Sequence, residues 1–202
     1  MHDSQVEILE RHTAYQGFFR LEVLRLRHRL FAGGWSEVIT RELFERGHAV
    51  AVLPYDPILD QVVLIEQFRV GALDAPGGSW LLEIVAGMAE DDEPIADVAA
   101  RETAEEAGCT VSVLEPICRF LVSPGGTSER IHLFCGRVDA RGVGGVHGIA
   151  AEHEDIRVLA MPASTAFDYV AQGRIDSAAP IIALQWLQLH RGDLRTRWED
   201  KK

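Results

Sequence analysis

The chain has 202 residues, 47% hydrophobic and 25% charged, which is enough for one sizeable core and too balanced for a disordered or fibrous protein. Its formal net charge of -11 excludes a nonspecific grip on nucleic acid or on an anionic membrane and points to small-molecule partners. The opening MHDSQVEILERHTAYQG has no apolar signal core, and no run approaches the roughly 18 apolar residues of a bilayer span, so the expected location is cytoplasmic.

In chain order, residues 16–30 read as extended, with a change of parity near Leu24: Phe19, Leu21 and Val23 share one face, Leu24, Leu26 and Leu30 the other. A bulge or a break between two strands would produce that switch. Arg25, Arg27 and Arg29 fall together, as a phosphate contact or, the preferred reading, a solvated sheet face. Further strands are expected at 37–44, 49–53, 62–68 and 81–85, divided by turn signals at 54–57 and 75–78. A helix over 94–107 follows, then strands at 115–121, 131–138 and 156–160, a tight Pro124-Gly125-Gly126 loop, and helices at 164–172 and 178–190. The expected fold is an α/β/α sandwich built on a mixed sheet, with a small N-terminal antiparallel β-sheet over residues 1–48 and the main domain over 49–202.

The segment GMAEDDEPIADVAARETAEEAGC, 87–109, carries the most chemistry. Pro94 suits the first helical position and Gly108 a left-handed C-cap. On a helix between them, Glu102 and Glu106 project within roughly 40° of each other, with Glu105 about 60° further round. Ile95, Val98 and Ala99 lie on that side, so the stripe turns toward the protein body. Like charges four residues apart repel and inward carboxylates lose solvation, which a bound cation would relieve. Oxygen donors select magnesium or manganese over zinc. On spacing alone, a solvated acidic face remains the other reading.

Elsewhere the signals are weaker. The loop 142–155, GVGGVHGIAAEHED, is glycine-rich, then acidic; its GVGG run is no dinucleotide-binding GxGxxG. His147 and His153 lack a paired spacing such as HxxxH and read as surface or substrate-adjacent residues. Cys109, Cys118 and Cys135 form no CxxC pair and read as buried thiols.

Gly87, Glu93, Arg101, Glu102, Glu105, Glu106 and Gly108 together match the Nudix box, departing from its aliphatic preference only at Thr103 and Cys109. WSEVITRELFERGHAVAVLPYDP, VVLIEQFRVGA, WLLEIVAGM, FLVSPGGTSERIHLF, EHEDIRV and IDSAAPIIALQWLQLH extend the likeness over most of 16–190, and the chain resembles the bacterial ADP-ribose pyrophosphatase branch of the Nudix family.

That resemblance implies a magnesium-dependent hydrolase, manganese being an alternative, that splits ADP-ribose into AMP and ribose 5-phosphate. It implies metal binding by the Ala86 carbonyl, Glu102, Glu105, Glu106 and Glu154, with Glu152 taking the proton of the attacking water. Glu93 and Arg101 would orient loop and helix through hydrogen bonds. Arg41, Glu42, Arg46, Arg69, Met88 and Glu129 would surround the substrate, with Phe18, Phe19, Ser123, Pro124 and Gly125 supplied by a partner subunit. A homodimer exchanging its N-terminal region follows from the same likeness. The partner is a small nucleoside diphosphate sugar, with neither nucleic acid nor membrane. GDP-mannose as substrate and a non-catalytic nucleotide-sensing module are the alternatives.

Overall fold

The computed structural model describes residues 5–89, 93–149, 151 and 153–199. Its contacts divide the chain into two compact units, one of Met1–His48 with Leu121–Arg130, the other of Ala49–Phe120 with Ile131–Lys202.

In the first unit, β1 (Val6–Gln16), β2 (Arg20–His28) and β3 (Ile39–Glu45) form an antiparallel sheet in that order. Of the expected bulge or break near Leu24, the break is absent: β2 is one strand with an unshifted register against β3, and the register shifts fall on β1, between Ile8 and Glu10 opposite Leu26 and Arg25 and between Thr13 and Tyr15 opposite Glu22 and Leu21. No parity change is needed because Glu22, buried beside Leu24, is neutralised by ion pairs to Arg11 and Arg20. The arginine face is an ion-paired surface. Arg25 meets Glu10 at 3.2 Å, Arg27 meets Glu7 at 2.6 Å, and Arg29 lies over Trp35.

The second unit is built on an eight-stranded sheet of order β10-β11-β5-β4-β9-β8, with β6 added beside β5 and β7 beside β4. Its strands are β4 (His48–Asp56), β5 (Gln61–Phe68), β6 (Trp80–Glu83), β7 (Val85–Ala89), β8 (Val113–Leu121), β9 (Arg130–Arg137), β10 (Gly144–His147) and β11 (Ile156–Pro162). β4 and β9 run parallel, and β5 pairs antiparallel with β4 and β11, so the sheet is mixed. Helices cover both faces: α1 (Ile95–Ala107) packs on β7 and β5, while α2 (Ala163–Ala171) packs on β11 and on α3 (Ala178–Glu199).

Burial on both faces explains why β4 and β5 read as nearly continuous apolar runs. Val50, Val52, Val63 and Ile65 point to the α1 side with Val98 and Ala99; Ala51, Leu53, Tyr55, Val62 and Leu64 point to the other, with Leu184, Leu187, Leu194 and Trp198 of α3. The turn after β4 starts later than expected, because Pro54 and Tyr55 still belong to the strand. Asp56 closes it, accepting from the amides of Ile58, Leu59 and Ala140 at 2.9–3.0 Å. The expected strand at 81–85 is two strands parted at Ile84. α3 runs to Glu199, nine residues beyond the expected end at 190 (199 − 190). Cys109 and Cys135 are buried, whereas Cys118 is exposed because its strand faces outward there, correcting its reading as a buried thiol.

Candidate active site

The acidic helix starts and stops where its sequence dictates, with Pro94 as the residue just before α1 rather than its first turn. Gly108 adopts φ 63°, a left-handed conformation open to glycine, and its amide closes on the Ala104 carbonyl. Between these ends Val98 and Ala99 are fully buried, and Glu106 follows them into the interior with only 3% exposure.

Glu106 faces β7, where its Oε2 accepts the Ala86 amide at 2.9 Å. Burial pushes its carboxyl up to about 8; the Ala86 bond lowers it, the charges of Glu102 and Glu154 raise it further, and Arg69 opposes them. Glu102 lies against Gly87, where an added Cβ would stand 1.9 Å from its carboxyl group. Its carboxyl is also raised, first by burial, with the Arg101 charge opposing and the charges of Glu105 and Glu154 adding. Glu154, from the loop before β11, therefore shares an electrostatic neighbourhood with both.

Arg101 partly offsets this crowding. Its guanidinium reaches Glu93 at 3.1–3.2 Å, Glu102 at 2.8 Å and Glu105 at 3.0 Å. Among the described residues no three acidic, histidine or cysteine side chains converge in a ready-made metal cluster, and Arg101 holds one oxygen each of Glu102 and Glu105. The donor set is nonetheless all oxygen, crowded and incompletely neutralised, which fits a hard divalent cation. Glu152 lies outside the described residues.

The expected substrate residues fall in both units. In the second, Arg69 bonds Glu83 at 2.6 Å and Met88 is exposed on β7. In the first, Phe18 packs edge-on against Phe19, Phe19 against Phe44, and the Arg46 guanidinium lies over the Phe19 ring, 5.1 Å from its centroid. Arg46 also approaches the buried Glu129 at 3.5 Å, so Phe18, Phe19, Arg46 and Glu129 form one group. Arg41 and Glu42 are neighbours on β3 and point to opposite faces, so they do not converge within the chain. Ser123, Pro124 and Gly125 form an exposed turn whose next residue, Gly126, accepts the Phe44 amide. Sequence reasoning missed Glu83 as the partner of Arg69, and it singled out His147 only as a surface or substrate-adjacent residue, not for its seat against Gly108. Neither carries a spacing signal.

Fold and site together define an α/β/α sandwich with a buried, oxygen-only acidic centre at the junction of α1 and β7. The chain belongs to the NUDIX domain family, which matches residues 45–184. It is 53% identical over 195 residues to the ADP-ribose pyrophosphatase of Escherichia coli K12, covering 96% of this chain and 93% of that protein. It is 42% identical over 155 residues to the GDP-mannose pyrophosphatase of Cronobacter sakazakii, covering 74% and 78%. The fold matches a crystal structure of an ADP compounds hydrolase at a TM-score of 0.72 and 21% identity, over 95% of this chain and 97% of that one.

Proposed function

We propose that this chain is a divalent-metal-dependent hydrolase that splits the pyrophosphate of ADP-ribose into AMP and ribose 5-phosphate. The observation that carries the reading is the buried Glu106 with the half-buried Glu102 and Glu154 in its electrostatic neighbourhood, within a chain whose likeness to an ADP-ribose pyrophosphatase runs almost end to end.

Glu102, Glu105, Glu106, Glu154 and the Ala86 carbonyl would hold the magnesium, or manganese. Once bound, the metal neutralises the diphosphate and acidifies water. Arg101 holds Glu102 and Glu105 in register with Glu93. Arg69 adds positive charge beside Glu106. Glu152 takes the proton of the attacking water, a role that rests on family likeness alone. Arginines 41 and 46 grip phosphate, Phe18 and Phe19 stack on the base, and Glu129 accepts from ribose hydroxyls.

The assembly we propose is a homodimer exchanging its first units, in the cytoplasm. Supporting it, Tyr15, Phe18 and Phe31 are exposed at 66%, 86% and 114% on that unit, large apolar surfaces for an isolated chain. Sedimentation would show the dimer; a monomer with full activity at nanomolar concentration would refute the shared site.

The similarity to the Cronobacter enzyme favours one second reading, GDP-mannose hydrolysis. A panel of both sugars, with products identified, decides. Release of AMP and ribose 5-phosphate from ADP-ribose in clear preference is the expected result, and preferential turnover of GDP-mannose would overturn it.

A further inference from the structure

The C-terminal end of α1 is occupied by a side chain from another element. A Cβ built on Gly108 would stand 2.7 Å from Cε1 of His147, so the absence of a side chain there admits the imidazole against the helix cap. Nε2 of His147 lies 3.0 Å from the Gly144 carbonyl. A carbonyl only accepts, so Nε2 carries the proton. His147 is the last residue of β10 and stands opposite the fully buried Ile156 of β11. It is thus tied to the helix cap, to its own strand and to the sheet.

The loop 148–155 begins at its next residue, and its described residues Gly148, Ile149 and Glu154 lie against one another. Gly148 adopts φ 99°, and a Cβ there would meet the Cβ of Glu154 at 2.7 Å. The Ile149 amide donates to Glu154 Oε2 at 3.0 Å, and the Glu154 amide donates to the Ile149 carbonyl at 3.4 Å. The ends of this loop are therefore close together, and their joint position relative to α1 is set where β10 meets the helix.

We propose that His147 is a positioning residue: seated on the Gly108 cap and bonded to Gly144, it fixes the root of loop 148–155 against the helix that carries Glu102 and Glu106. It thereby sets where Glu154 stands relative to those carboxylates. The proposal rests on the hydrolase reading for its effect on turnover and on geometry alone for its effect on the loop.

The test combines hydrogen exchange with kinetics on the full chain. In His147→Ala, the amides of Ile149 and Glu154 should exchange on the order of tenfold faster, with α1 protection and Tm retained. A cleft of about 360 Å³, lined by Gly108, Cys109, Asp139, Arg141 and His147, gives small solutes access, so added imidazole should slow that exchange again. With ADP-ribose and magnesium, kcat should fall roughly 10–100-fold at nearly constant KM, as loss of a supporting partner around a metal site does. His147→Gln, which keeps an N–H in reach of the Gly144 carbonyl, should recover part of both effects. Unchanged exchange over 148–155 would overturn the proposal, as would equal loss of protection in α1, which marks a role in the global fold. Failure of the unsubstituted protein to hydrolyse ADP-ribose would overturn the proposed function, while the exchange rates over 148–155 would still decide the role of His147.

Discussion

At the scale of single residues, Glu106 shows how function opposes stability. The folded protein holds its proton up to about pH 8, whereas the unfolded chain releases it near the ordinary 4.5, so between those values the folded state binds more protons. Stability contributed by this group is therefore full below the lower value and is lost as pH rises through the upper one, by on the order of several kcal/mol. Glu106→Gln should flatten the decline in Tm between pH 5 and 8 in metal-free protein while lowering activity about a hundredfold or more. Parallel melting profiles for the two proteins would contradict this account of the buried carboxyl. The proposed roles of Glu152 as base and Glu154 as metal ligand are separated by their variants. Glu152→Gln should lower kcat by roughly 10²–10⁴-fold with metal binding intact, whereas Glu154→Gln should raise the magnesium needed for half-maximal rate. Rescue of Glu152→Gln by excess magnesium would make that residue a ligand.

At the scale of elements, the junction of α1 with β7 depends on a missing side chain. Gly87→Ala places a methyl group where the Glu102 carboxyl now lies, and that flexible carboxyl is what must move. The fold should survive with a small change in Tm, while the magnesium requirement rises roughly 10–100-fold; metal titrations indistinguishable from the parent would refute the close packing. This helix is legible from sequence because Pro94, Gly108 and the carboxylate spacing are local signals, and β4 and β5 because strands buried on both faces leave long apolar runs. β1 is not, since it is exposed along nearly its whole length and is held by cross-strand pairs, Glu7 with Arg27 and Glu10 with Arg25, that hydrophobic periodicity does not register. β10 is hidden by its glycines, and the last turns of α3 by a polar stretch around Gly192 and Asp193 that precedes the buried Leu194 and Trp198. In the site, the box carboxylates are visible as a pattern, but the seat of His147 on Gly108 joins residues that only the fold brings together.

At the scale of the whole molecule, α3 closes one of the two cores of the second unit. Trp198 is 1% exposed and packs beside Tyr55, which is itself bonded to Asp60 at 2.8 Å. Trp198→Ala should destabilise the protein by about 3–5 kcal/mol, read from chemical denaturation, and a change within experimental error would mean that this end of α3 contributes no core packing. The two faces of the sheet are also completed at different times during synthesis. α1 ends at residue 107 and α3 at residue 199, so 92 residues (199 − 107) separate the covering of one face from that of the other. At roughly 5–20 residues per second, translation leaves Ala51, Leu53, Tyr55 and Leu64 without the cover of α3 for about 5–20 s after α1 is complete. A nascent chain paused after β11 and before α3 should present an apolar sheet face that α2 covers only in part, a surface of the kind that chaperones recognise until α3 emerges.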